Sequence, residues 1–278
     1  MNQANPSTSA SSPAWAKRWR QKWALVTGAS AGIGLALARE LGATGTNLVL
    51  TARRLDRLQQ LASDLSFQHG IKVESLPADL TQPQAPWEIL EFTTSRKIEI
   101  DLLVNNAGFG AFGYHHEIPT HRIAEMVQVN CTAVAVLTRL FVPAMVERRR
   151  GDVLIVSSVA AFQPVPFISA YAATKAFDLI FAEGIAEELR EFGIRVCALC
   201  PGSTSTEFQQ VAGQPDRMFR VAETAEKVAR VGLEGLARGK TVVISGTSNM
   251  LMVESQRVAP RRFVAKMAAR MMRPSQSK

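Results

Sequence analysis

Two side chains with complementary chemistry stand four residues apart in Tyr171-Ala-Ala-Thr-Lys175, at the head of a helical pattern that runs to Phe192. That spacing is just over one helical turn, so the phenol and the ammonium project from the same face. A free phenol titrates at about pH 10, too high to exchange protons usefully at neutrality; a fixed cation nearby favours the phenolate and lowers that value. Lys175 is therefore expected to make Tyr171 a usable acid. A lone Tyr and Lys at this spacing more often mark a solvated face, so the chemistry depends on what the chain places around them.

What must position them is an alternation of short β-rich runs (23–28, 47–52, 71–76, 100–105, 152–157, 194–200, 241–245) with helical patterns near 32–43, 54–67, 84–97, 120–147, 170–192 and 222–238. Strands separated by helices specify parallel crossovers, and nearly continuous apolar strands such as Asp152-Val-Leu-Ile-Val156 suit a sheet covered on both faces. The prediction is an α/β fold: a single doubly wound Rossmann-type domain with a parallel sheet of about seven strands. Its body spans 23–246, between a disordered or partly helical basic leader (1–22) and a basic amphipathic extension (247–278).

The first strand leads into Gly28-Ala29-Ser30-Ala31-Gly32-Ile33-Gly34 and then a helix. Glycines let the backbone turn sharply and approach a pyrophosphate, whose charge is favoured by free amides at a helix start. The Gly-x-x-x-Gly-x-Gly spacing departs from the usual Rossmann fingerprint. After the second strand, Arg53 and Arg54 stand where an acid would hold a ribose 2′-hydroxyl. A guanidinium suits a 2′-phosphate, so NADP(H) is expected over NAD(H). For Arg53 the phosphate role is favoured; for Arg54, beginning an exposed helix is an equal alternative. Asp79 (with Leu80) and Asn105-Asn106-Ala107-Gly108 close two further strands, where side chains face the ligand crevice. Asp79 suits the adenine amine, and 105–108 the floor beneath the nicotinamide.

Together, Thr27 to Gly34, Asp79, Asn105 to Gly108, Asn130, Ser157-Ser158, Tyr171-x-x-x-Lys175 and Pro201-Gly202 with Thr206 resemble the classical short-chain dehydrogenase/reductases, over roughly 23–246. The fuller text is similar to a bacterial branch grouped with 3-oxoacyl and hydroxysteroid reductases. The resemblance implies that Tyr171 exchanges the proton, Lys175 lowers its pKa and binds the nicotinamide ribose, Ser158 holds the substrate oxygen, and Asn130 positions a water linking Lys175 to solvent. It implies cofactor contacts at Gly28, Ser30, Ala31, Gly32, Ile33, Gly34, Arg53, Arg54, Asp79, Leu80, Asn106, Ala107, Gly108, Tyr171, Lys175, Pro201, Gly202 and Thr206. The helix 170–192, with Phe177, Ile180, Phe181 and Ile185, resembles the family's dimer-forming helix, which predicts a homodimer.

Phe109, Phe112, Phe162, Pro164, Pro166 and Phe167 follow the fourth and fifth strands, and a long loop at 203–220 carries Phe208, Met218 and Phe219. If these rings face inward, the pocket suits a hydrophobic ketone or alcohol rather than a sugar. Alternatives are a catalytically silent NADP-binding scaffold or redox sensor, and an extended epimerase or dehydratase; the latter needs more length than the 278 residues provide.

Three cysteines and the lack of a secretory signal predict a reducing, cytoplasmic setting. Cys197 and Cys200 fall within one strand, three apart and on opposite faces, which favours buried thiols over a redox or metal pair. His115, His116 and His121 cluster without acids or thiols to complete a metal site, so no metal is expected. Of the +8 net charge, residues 1–23 carry four cations and 257–278 carry seven, neither stretch holding an acid, which leaves 24–256 at −3. Basic tails point to an anionic surface met by the ends, and nucleic acid is not an expected partner. In 260–272, Phe263, Val264, Met267 and Met271 share one helical face and Arg262, Lys266 and Arg270 another, which suits either docking on the domain or a sister subunit, or peripheral contact with an anionic membrane. Trp15 and Trp19 are candidate interfacial anchors at the other end.

Overall fold

The computed structural model describes residues 14–213, 222–256 and 258–274. All seven expected strands form: β1 (Trp23–Thr27), β2 (Asn47–Ala52), β3 (Val73–Pro77), β4 (Ile100–Asn105), β5 (Gly151–Val156), β6 (Ile194–Cys200) and β7 (Val242–Ile244). They make one parallel sheet in the order β3-β2-β1-β4-β5-β6-β7. The chain reverses direction across the sheet between β1 and β4, which opens a crevice outside the carboxyl ends of those strands.

Among the described residues, ten α-helices accompany the sheet: α1 (Gly32–Ala43), α2 (Leu55–His69), α3 (Ala85–Ser95), α4 (Thr120–Val127), α5 (Ala133–Glu147), α6 (Ser169–Arg190), α7 (Phe208–Ala212), α8 (Ala225–Ala237), α9 (Thr247–Gln256) and α10 (Arg261–Met272). Alternate strand residues feed two cores. Val26, Leu50, Val104, Leu154 and Leu199 pack with α1, α2 and α8, while Leu25, Val49, Leu103, Val153 and Ala198 pack with α3, α5 and α6. A strand buried on both faces cannot show polar alternation, which is why these runs read as continuously apolar.

A five-residue π-helical segment (Gln128–Thr132) joins α4 to α5, making one helix from Thr120 to Glu147. Its length and composition would let it cross a bilayer. Instead Val134, Leu137, Phe141 and Met145 are buried in the core.

The N-terminal segment differs from the anchoring role expected of its tryptophans. Trp15 and Trp19 are 8% and 1% exposed and join the core. The Arg18 guanidinium donates two hydrogen bonds to Asp152 at 2.8 and 2.7 Å, and the Trp19 indole N–H a third at 2.8 Å. A carboxylate buried at the start of β5 needs such donors, and burying two indoles removes them from any surface. Residues 1–13 of the expected leader lie outside the described residues.

Candidate active site

The loop between β1 and α1 is shaped by close approach. Gly28 has φ +68°, and a Cβ there would sit 2.8 Å from the Asn106 amide nitrogen. A Cβ on Gly34 would collide with the Gly28 carbonyl. Thr27 ties this loop to the end of β4: its hydroxyl accepts from the Asn106 and Ala107 amides at 2.9 and 3.0 Å, and Asn106 Nδ2 donates to the Thr27 carbonyl at 2.8 Å. Ala31, the N-cap of α1, offers no side-chain acceptor. First-turn amides without such a partner are the groups that attract a phosphate.

A cleft of about 510 Å³ runs from this loop across the carboxyl ends of the strands. Every expected cofactor residue except Gly34 lines it; Gly34 lies beneath the loop against Gly28. Arg53 is exposed at its edge. Arg54 is held: its guanidinium donates to Ser30 Oγ at 3.2 Å and pairs at 2.9 Å with Glu207, which also takes Arg57 at 2.7 Å. These cations, through hydrogen bonds to Arg57 and then Arg54, hold the Glu207 carboxyl below its usual range. Glu207 was not foreseen, because its partners lie some 150 residues away in the chain. Asn105 departs from the expected floor: its side chain turns into the core and donates to Thr138 Oγ1 at 3.0 Å.

Ser158, Tyr171 and Lys175 meet at the far side of the cleft. Ser158 caps the short 3₁₀ helix Val159–Phe162, accepting from the Ala160 amide at 3.1 Å, and its hydroxyl is close enough to the Tyr171 phenol to favour the phenolate. Ser157 differs: its hydroxyl is buried against the Lys175 carbonyl at 2.8 Å, so Ser158 is the serine free to meet a ligand. Lys175 Nζ lies 5.9 Å from the Tyr171 ring centroid. Burial opposes its charge, but the Asp178 carboxylate and then Tyr171 outweigh that and hold the amine above its ordinary value.

Lys175 does lower the pKa of the phenol, as expected, but the net shift of Tyr171 is upward. Burial pushes the Tyr171 pKa up, and Lys175 and Ser158 offset only part of the rise. One cause is Asp178, whose carboxylate repels the phenolate. Asp178 is fully buried three residues beyond Lys175, with Oδ2 2.9 Å from Nζ and Oδ1 without a hydrogen-bond partner among the described residues. The Val156 carbonyl accepts from Nζ at 2.8 Å. An ammonium has three N–H donors, so one remains for the cleft. The i,i+3 spacing of Lys175 and Asp178 was a usable signal for this pair.

Asn130 sits in the π-helical segment, a distortion that recurs at functional sites. Its side chain is wholly buried and clamps the Phe109 backbone, accepting from its N–H at 3.1 Å and donating to its carbonyl at 2.9 Å, with a further donation to Thr174 at 3.0 Å.

The substrate end is more aliphatic than expected. Of the predicted rings, Phe109 and Phe208 line the cleft, the latter 5.2 Å from Tyr171 between centroids. Phe162 packs into the core beneath the sheet, Phe112 against a small cluster around Val165, and Phe167 edge-on to Tyr114. Pro164 and Pro166 do not line it, and Met218 and Phe219 lie outside the described residues. Val165, Ile168, Val211 and Met272 form the wall instead. Met272 ends α10, so this helix docks on its own domain. Cys197 and Cys200 fall in opposite cores, their thiols pushed up to about 12 by burial.

The profile of the short chain dehydrogenase family matches residues 22–217. The chain is 32% identical over 223 residues to the very-long-chain 3-oxoacyl-CoA reductase of Anas platyrhynchos, covering 78% of this chain and 71% of that one. Among solved structures it is similar to a short-chain dehydrogenase from Sphingobium yanoikuyae in complex with NADPH (30% identity, 92% and 98% of the two chains, TM-score 0.77). It is also similar to a bulky-bulky ketone specific alcohol dehydrogenase from Comamonas testosteroni (28% identity, 92% and 96% covered, TM-score 0.73). A seven-stranded parallel sheet, a glycine turn with this spacing and the Tyr171, Lys175 and Ser158 arrangement agree with these matches: the chain belongs to the classical short-chain dehydrogenase/reductase family, and is an oxidoreductase of that family.

Proposed function

We propose that the chain is an NADP(H)-dependent oxidoreductase that interconverts a hydrophobic ketone and its secondary alcohol. The observation that carries this reading is the meeting of Ser158, Tyr171 and Lys175 where a dinucleotide cradle opens into an aliphatic pocket. The cradle fits the cofactor: Gly28 and Gly32 put no side chain over the loop, the first-turn amides of α1 have no capping side chain and so suit a pyrophosphate, and exposed Arg53 suits a 2′-phosphate. When bound, the nicotinamide supplies or accepts the hydride.

The residues do the rest. Ser158 and Tyr171 offer two hydroxyls to one substrate oxygen, so charge developing there meets donors already in place. Tyr171 gives its proton to that oxygen in reduction and takes it back in oxidation. Lys175, fixed by Asp178 and Val156, keeps one N–H for the nicotinamide ribose and its charge beside the phenol. Asn130 spends both side-chain N–H donors on Phe109 and Thr174, so any water it positions between Lys175 and solvent meets it through an acceptor oxygen. The names of the NADPH-bound and bulky-ketone relatives support the cofactor and the substrate class.

Exposed Phe177 and Ile180 on α6 support a homodimer, and three free cysteines a reducing, cytoplasmic setting. The intact proton-donating set argues against a silent scaffold. The test is NADPH consumption against a panel of hydrophobic ketones. Tyr171→Phe is expected to lower kcat/KM by about 10²–10⁴ while NADPH still binds; a variant as fast as the parent would overturn the assignment.

A further inference from the structure

The C-terminal helix α10 has two faces with different destinations. Ala268 is buried and Met272 lines the cleft beside Ile168 and Tyr171, so one face of the helix roofs the substrate end. Val264, expected on the outer apolar face, is only half-buried. The opposite face points to solvent and carries two parallel stripes. Phe263, Met267 and Met271 are 59%, 42% and 75% exposed and repeat every fourth residue. Arg262, Lys266 and Arg270 repeat beside them, also exposed. From 257 to 278 the sequence holds seven cations and no acid.

An exposed apolar stripe wants cover, and the charge beside it says of what kind. A second copy of this stripe would bring like charges together, whereas an anionic lipid surface takes the rings and thioethers into its acyl boundary and the cations among its headgroups. We propose that the outer face of α10 docks the protein on an anionic bilayer. Resting on the reading of a hydrophobic ketone as substrate, the docking also gives that substrate a source. A helix is about 10 Å across, so the lipid-facing stripe and the Met272 wall of the pocket are one helix apart. A ketone dissolved in the bilayer reaches Tyr171 by passing beside α10.

The experiment is co-sedimentation of the full chain with vesicles of equal parts phosphatidylcholine and phosphatidylglycerol, against vesicles of phosphatidylcholine alone. The wild type is expected in the pellet with the anionic vesicles only, and to be released as salt rises. Two variants, Arg262→Glu with Lys266→Glu and Phe263→Ser with Met267→Ser, should each lose roughly tenfold or more in binding. Both should reduce a water-soluble ketone without vesicles at the wild-type rate, which shows that they fold. Equal sedimentation with both vesicle types, variants that bind like the wild type, or a wild type that stays in solution while the variants alone lose self-association would each overturn the proposal. Sedimentation requires no turnover. A protein that binds vesicles but reduces no hydrophobic ketone keeps the docking face and loses the substrate reading; one that reduces such ketones and ignores vesicles does the reverse.

Discussion

At one end of the cleft the floor is the backbone of a tight turn, with Arg53 at the edge. Gly28 and Gly34 leave no freedom of residue type, since a Cβ at either would strike Asn106 or neighbouring backbone, and the Thr27 to Asn106 hydrogen bonds fix the loop to β4. At the other end the walls are side chains. Val165, Ile168, Val211 and Met272 come from separate segments and need only be apolar and of suitable volume. Geometry at the first end accepts one type of ligand, while the second can be retuned by single substitutions. A fold of this kind keeps its cofactor and changes its substrate.

The sharpest way to break that contrast is Gly34→Val. The added branches strike the Gly28 carbonyl, so NADPH binding should fall below detection in a fluorescence titration, and stability should drop by about 1–3 kcal/mol in denaturant unfolding. Next is Arg53→Ala, which removes a charged donor: the Kd for NADPH should rise by roughly 10- to 100-fold and that for NADH should stay put. Equal losses for both cofactors would show that Arg53 does not read the phosphate. At the substrate end, Met272→Ala should raise KM for a bulky ketone by roughly tenfold, with NADPH affinity unchanged. A change in NADPH affinity there would erase the distinction between the two ends.

The same contrast explains what could be read from the chain. The cradle was legible because glycine positions and strand ends are tied to residue type. Phe112, Phe162 and Phe167 misled because a ring near the site serves the core or a loop contact as readily as a pocket. Met272 and Glu207 were invisible as site residues because topology, not local pattern, brings them to the cleft. Trp15 and Trp19 resembled surface anchors only until Asp152, more than 130 positions away, supplied a buried acceptor. Tyr171 and Lys175 were plain from spacing, yet their electrostatics depend on burial and on Asp178.

Those electrostatics can be measured directly, because the chain has two tyrosines. In a Tyr114→Phe background, ultraviolet titration of phenolate reports Tyr171 alone. Burial predicts a midpoint above that of a free phenol, so in the proposed reaction Tyr171 stays protonated for reduction through neutral pH and oxidation would gain with rising pH. Lys175→Met should move the midpoint to higher pH, because the cation that favours phenolate is gone. Asp178→Asn should move it lower, because a repelling carboxylate is gone. A midpoint indifferent to both substitutions would contradict the claim that this pair tunes the acid.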